Sequence, residues 1–116
     1  MRALPVIAFM ALALVTTGTA ARPRSPGPAQ RGLALAQGHC AACHGVTPNS
    51  SSPNPESPTF EDIANRRGLT ATTLDRFLRD AHNYPDAMNF RLERGHVRDL
   101  SAYIVTLKRK GYKPTI

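Results

Sequence analysis

Cys40-Ala41-Ala42-Cys43-His44, approached through Ala29-Gln30-Arg31-Gly32-Leu33-Ala34-Leu35-Ala36-Gln37, is the stretch on which the reading of this chain turns. The two cysteines are the only ones in the sequence. Residues 29–37 are rich in helix formers, so the motif arrives at the end of a helix. In a C-x-x-C-H pattern each cysteine can add across one vinyl group of a haem, and the adjoining histidine is then placed to ligate the iron from the same side. Zinc fits poorly, because it wants about four ligands. The chain has no second cysteine pair, and the two histidines away from the motif, His82 and His96, are fourteen apart. A thiol redox pair remains the stronger rival, yet that chemistry normally opens a helix after a buried strand, and here helix precedes the cysteines. Covalent attachment of one haem is the preferred expectation.

Working outward, residues 1–21 read as a secretory signal peptide. Arg2 is followed by a nearly unbroken apolar run over 3–15, and then by the small residues Thr16-Thr17-Gly18-Thr19-Ala20-Ala21. The run is short for a membrane span and suits cleavage after Ala20 or Ala21, with retention as an anchor the alternative. The expected location is outside the cytoplasm. Residues 22–28 are Pro- and Arg-rich with little to bury and read as a disordered leader, which leaves 29–116 as one domain. Apolar residues make up 41% of the whole chain, and fifteen of them leave with the signal. The remaining domain is therefore small and lean, a class that commonly needs a disulfide, metal or cofactor to supply its centre. Two domains and a large enzyme fold are excluded.

Fifteen Lys and Arg oppose eight Asp and Glu in the full chain; loss of Arg2 leaves fourteen against eight, or +6. The cations are dispersed and no aromatic series interleaves with them, which argues against nucleic acid. Redox partner proteins with acidic docking surfaces, met by electrostatic steering, are the expectation.

Residues 46–58 contain four prolines and four serines and must form a surface loop. Thr59 followed by Asp62 resembles a capping box, opening a short helix with Phe60, Ile63 and Ala64 inward and Gly68 as its stop. A helix over 71–81 carries Leu74, Phe77, Leu78 and Ala81 at i, i+3, i+4 and i+7. The segment 82–92 is irregular around Pro85. A last helix over 94–109 places Val97, Leu100, Ile104 and Leu107 on one face with Tyr103 beside them, weakened in its first turn by Gly95 at up to about 1 kcal/mol relative to Ala. No strand is convincing. The fold class is all-α, with about four helices and long loops around one covalently bound haem, and Phe60, Leu74, Phe77, Leu78, Leu100 and Ile104 are expected around or near it.

An electron-carrying haem wants a second axial ligand. Met1 and Met10 leave with the signal, so Met88 is the remaining thioether, a soft ligand that favours ferrous iron and raises the reduction potential. His82 competes, and bis-histidine ligation would lower the potential. His39 and His96 read as surface residues. The candidate site is thus Cys40, Cys43, His44 and Met88, with His44 and Met88 on the metal.

Across residues 29–109 the sequence resembles the class I c-type cytochromes, small monohaem proteins of the alphaproteobacterial type among them. Gly32, eight residues before Cys40, stands where that family lets its first helix cross its last, with Leu100 and Tyr103 as the facing pair. Ala36 replaces a frequent aromatic. Pro58 with Phe60 is similar to the family's loop proline, whose carbonyl would accept a hydrogen bond from the axial imidazole. Met88-Asn89-Phe90 lacks the proline that commonly follows the methionine, and tryptophan is absent, so Arg66, Arg67 or Tyr84 would take its place near a propionate. The resemblance implies a periplasmic one-electron carrier that holds haem c through two thioether bonds and is not itself an enzyme. The alternatives are a haem subunit of a periplasmic dehydrogenase or sulfur-compound oxidase, a gas-binding or peroxidatic haem protein, and a haem-free thiol oxidoreductase.

Overall fold

A computed structural model of the 116-residue chain describes residues 24–80 and 91–115. Four α-helices follow in order: α1 (Pro28–His39), α2 (Phe60–Ala64), α3 (Ala71–Asp80) and α4 (Arg94–Ile104), the last continued by a 3-10 turn, Val105–Leu107. Among the described residues there is no strand. Pro28, placed in the leader by the sequence, is instead the first residue of α1. Its fixed φ suits that position, and Gln30 Oε1 accepts from the Gly27 N–H at 2.9 Å.

Helix α4 is the hub, packed against α1 most extensively and against α2 and α3 as well. The α1 crossing depends on Gly32. A Cβ there would lie 2.6 Å from the Asp99 carbonyl carbon and 2.7 Å from Tyr103 Cβ, so the absence of a side chain lets the backbones meet. Ala36, one turn on and completely buried, extends the thin face. Tyr103 of the expected pair therefore stands at the crossing, joined there by the Asp99 backbone, and Leu100 lines the functional cavity. Arg31 braces the crossing by donating from Nε and Nη2 to the two carboxylate oxygens of Asp99, each at 2.7 Å. These bonds hold the Asp99 carboxyl below the usual carboxylate range.

Helix α2 is shorter than the sequence implied. Thr59 caps it, its hydroxyl accepting from the Asp62 N–H at 3.0 Å, but the helix stops at Ala64, four residues before Gly68. Asn65 is the reason. Its amide donates to the carbonyls of Glu61 and Leu107, and its Oδ1 accepts from the Arg109 N–H, so the chain end occupies the space a longer helix would need. Similarly α4 ends at Ile104 and tightens into the 3-10 turn, whose Leu107 is still buried. The serine and proline loop is folded inward. Gly45 donates to Ser52 Oγ, Asn54 donates to the Cys43 carbonyl, and a Cβ on Gly45 would stand 2.7 Å from the Ser50 carbonyl oxygen. The loop is thus bonded to the motif residues rather than hanging free.

Asp62 does not complete the expected capping box. Its buried carboxylate turns to the chain end, accepting from Tyr112 Oη at 2.9 Å and from the backbone N and hydroxyl of Thr115 at 3.0 and 2.8 Å. Desolvation works to raise its pKa, but these donors together outweigh it and leave the carboxyl below its ordinary value. A depressed folded-state pKa contributes stability above the unfolded pKa, about 4, and that contribution is lost as pH falls through the folded value. Melting temperature measured against pH for the wild type and Asp62→Asn should show a gap that is constant from pH 5 to 7 and closes below about pH 4. A gap independent of pH would rule out the ionised form as the stabilising one.

Candidate functional site

The end of α1 delivers the motif. Cys40 caps the helix, its N–H bonding the Ala36 carbonyl at 2.9 Å, and His44 N–H bonds the Cys40 carbonyl at 2.9 Å, so residues 40–44 form one tight turn. Cys40 is half-buried, Cys43 exposed and His44 half-buried. Burial, helped by neighbouring Cys43, pushes the Cys40 thiol up to about 11. A redox thiol needs the opposite: a lowered pKa, usually from a helix N-terminus, whereas Cys40 sits at a C-terminus. The thiol-oxidoreductase alternative is disfavoured on that ground.

The His44 imidazole is held by Nδ1, 2.7 Å from the Pro58 carbonyl oxygen. A carbonyl only accepts, so Nδ1 carries the proton and the Nε2 lone pair is left available to a metal. Phe60 lies against the same ring, centroids 5.5 Å apart. The backbone beside both is tied as well, with the Phe60 N–H donating to the Gly45 carbonyl at 2.8 Å. Imidazole, loop proline and the start of α2 thus form one bonded unit.

Cys40, Cys43, His44 and Pro58 open onto a cavity of about 590 Å³, within the range of sites that enclose a whole cofactor, roughly 300–1,000 Å³. Its walls are Phe60 and Ile63 of α2, Leu74, Phe77 and Leu78 of α3, Leu92, and Leu100 and Ile104 of α4. Arg66 and Arg67 stand at its edge, both exposed. The six apolar residues expected around the cofactor, Phe60, Leu74, Phe77, Leu78, Leu100 and Ile104, all line it. Phe77 is nevertheless 56% exposed, a large apolar side chain that opens onto the cavity. The residues present fit a haem: two thiols at one rim, a nitrogen ligand of fixed tautomer, an apolar plane-sized cleft and two guanidinium groups at the edge. Met88 and the competing His82 lie outside the described residues, as do Ala81, Tyr84 and Pro85. His39 and His96 are both exposed; with Leu35, Arg91 and Leu92 they line a smaller cavity of about 260 Å³, and His39 borders the larger one too.

Residues 29–108 match the sequence family described as Cytochrome c. The chain belongs to the cytochrome c family. It is 30% identical over 99 residues to a cytochrome c-552 of Bradyrhizobium diazoefficiens, an alignment spanning 85% of this chain and 90% of that protein. No solved structure gives a significant match. As a monohaem c-type cytochrome the protein acts in electron transfer with redox partners and is not an enzyme in itself; its cofactor is a covalently bound haem c. Among the described residues no helix is long and apolar enough to cross a membrane.

Sequence reasoning missed the paired buried acids of this cytochrome, Glu61 and Asp62, which are 4% and 3% exposed. Adjacent acids in a helix's first turn read as ordinary N-terminal charge. Their partners, the Asn49 N–H and the distant Arg109, Tyr112 and Thr115, explain their burial.

Proposed function

We propose that this cytochrome is an exported, freely diffusing periplasmic carrier, in which Cys40 and Cys43 are the thioether anchors and His44 and Met88 the axial ligands. The bound haem supplies a single electron vacancy that is filled by one partner and emptied by another. The protein's part is to keep that exchange cheap. Pro58 fixes the His44 tautomer and orientation and makes the imidazole a better donor. The apolar walls of α3 and α4 exclude water, and Arg66 and Arg67 are placed to meet the propionates. The single observation that carries the reading is the His44 Nδ1 to Pro58 carbonyl bond at 2.7 Å beside both cysteines on one cavity.

Partners with acidic faces are supported by the net charge and by the exposed Arg66, Arg67, His39 and Arg91 around the two cavities. Such encounters are weak and salt-sensitive, because turnover requires quick release. Removal of residues 1–21 completes the proposal.

The test combines an intact mass, a denatured haemochrome spectrum and the absorption spectrum of the reduced protein. A mature mass that lacks the haem increment after expression with working attachment machinery ends the proposal. Met88→Ala should vacate one axial position, so that the reduced protein turns high-spin and takes up about one equivalent of carbon monoxide. A low-spin ferrous spectrum without added ligand would instead assign His82. Copurification with a larger redox protein at constant stoichiometry would replace the free carrier with an enzyme subunit.

A further inference from the structure

Helix α2 has five residues, too few to hold itself, since a single turn fixes several dihedrals for one hydrogen bond. Its position is set by what grips it. Phe60 and Ala64 press one side into the core. The other side presents Glu61 and Asp62, whose buried carboxylates are tolerable only because donors reach them. The Asn49 N–H of the preceding loop donates to Glu61 at 2.7 Å, and the other donors come from the opposite end of the chain. Arg109 pairs with Glu61 at 3.0 Å, while Tyr112 and Thr115 give Asp62 three hydrogen bonds between 2.8 and 3.0 Å.

We infer that the C-terminal segment 112–115, through its grip on Asp62, is a positioning element for His44. The inference rests on the proposed role of His44 as an axial ligand. The path is short. Asp62 N–H is bonded to the hydroxyl of Thr59, the residue next to Pro58, whose carbonyl holds the imidazole. On the other flank the Phe60 N–H holds Gly45, the residue next to His44. The start of α2 therefore touches the histidine from both sides, and Asp62 fixes where that start lies. An apolar contact at position 62 would fill the space but allow sliding. A carboxylate with three directed donors specifies one placement.

Loosening the segment should lengthen the Pro58 bond, make the imidazole a poorer donor and so favour ferrous iron, moving the reduction potential upward. The test uses the haem-loaded protein with Tyr112→Phe, Thr115→Val, and a chain ended after Lys110 that retains Arg109 on Glu61 and Asn65. Potential is read by spectroscopic titration, and hydrogen exchange of the His44 ring N–H by NMR. The expected result is a positive shift that grows from the single variants to the truncation, with ring exchange faster by about tenfold in the truncated chain. If the truncated chain does not fold, the two single variants, each removing one of three bonds, decide the matter. Variants that load haem and melt earlier, yet keep the wild-type potential and ring exchange, would overturn the inference and leave the segment a structural strap. A wild-type spectrum without a protonated, iron-bound histidine ring would instead overturn the ligand assignment, and it is recorded before any variant.

Discussion

A chain denied haem attachment by Cys40→Ala with Cys43→Ala should lose its tertiary fold, retaining only partial helix by far-UV circular dichroism and no near-UV signal. The reason is the cavity. At about 24 cal/mol per Å³ of unfilled core, 590 Å³ corresponds to about 14 kcal/mol. Because the cleft is open on one side this is an upper bound, but half of it would equal the whole stability of an ordinary domain, about 5–15 kcal/mol. Phe77, more than half exposed, would add an apolar face with nowhere to go. The apo chain is thus expected to be molten or unfolded. A cooperative thermal transition with dispersed amide resonances in the double variant would contradict this account.

Gly32→Ala is expected to be the most damaging single-methyl change in the described structure. The added carbon meets backbone, the Asp99 carbonyl, and the Cβ of Tyr103, so neither neighbour can swing aside as a flexible side chain would. Overpacking ordinarily costs 1–3 kcal/mol; here, where two helices must separate, about 3 kcal/mol or more is expected. For a domain of this size that lowers the melting temperature by roughly 12–24 °C. Separation would also strain the 2.6 Å bond by which Tyr103 Oη, at the same crossing, holds the Val46 carbonyl next to the motif. Thermal unfolding of the haem-loaded variant checks the prediction. A loss under about 1 kcal/mol would mean that α1 and α4 have room to spare.

Much of this was legible in the sequence because the decisive signals are local. A C-x-x-C-H turn needs five consecutive residues. The stripes of α3 and α4 need only helical period, and all six residues expected around the cofactor do line the cavity. The Pro58 bond to His44 followed from a resemblance and is present at 2.7 Å. Errors arose where a residue's fate depends on something far along the chain. Tyr103 was expected at the Gly32 crossing and is there, but the Asp99 backbone that meets Gly32 beside it is brought by the packing of α4 and was not foreseen. Gly68 was expected to stop α2, whereas Asn65, bonded to Leu107 and Arg109 more than forty residues on, stops it first.

By itself, then, the sequence determined the all-helical class and the nature of the cofactor, since each is written in residue types at fixed short spacing. The tertiary structure alone decided where α2 ends and that Glu61 and Asp62 are interior anchors for the chain end. Burial of a carboxylate is favourable only when specific donors arrive to satisfy it, and the fold brings those donors from Asn49 and from residues 109–115.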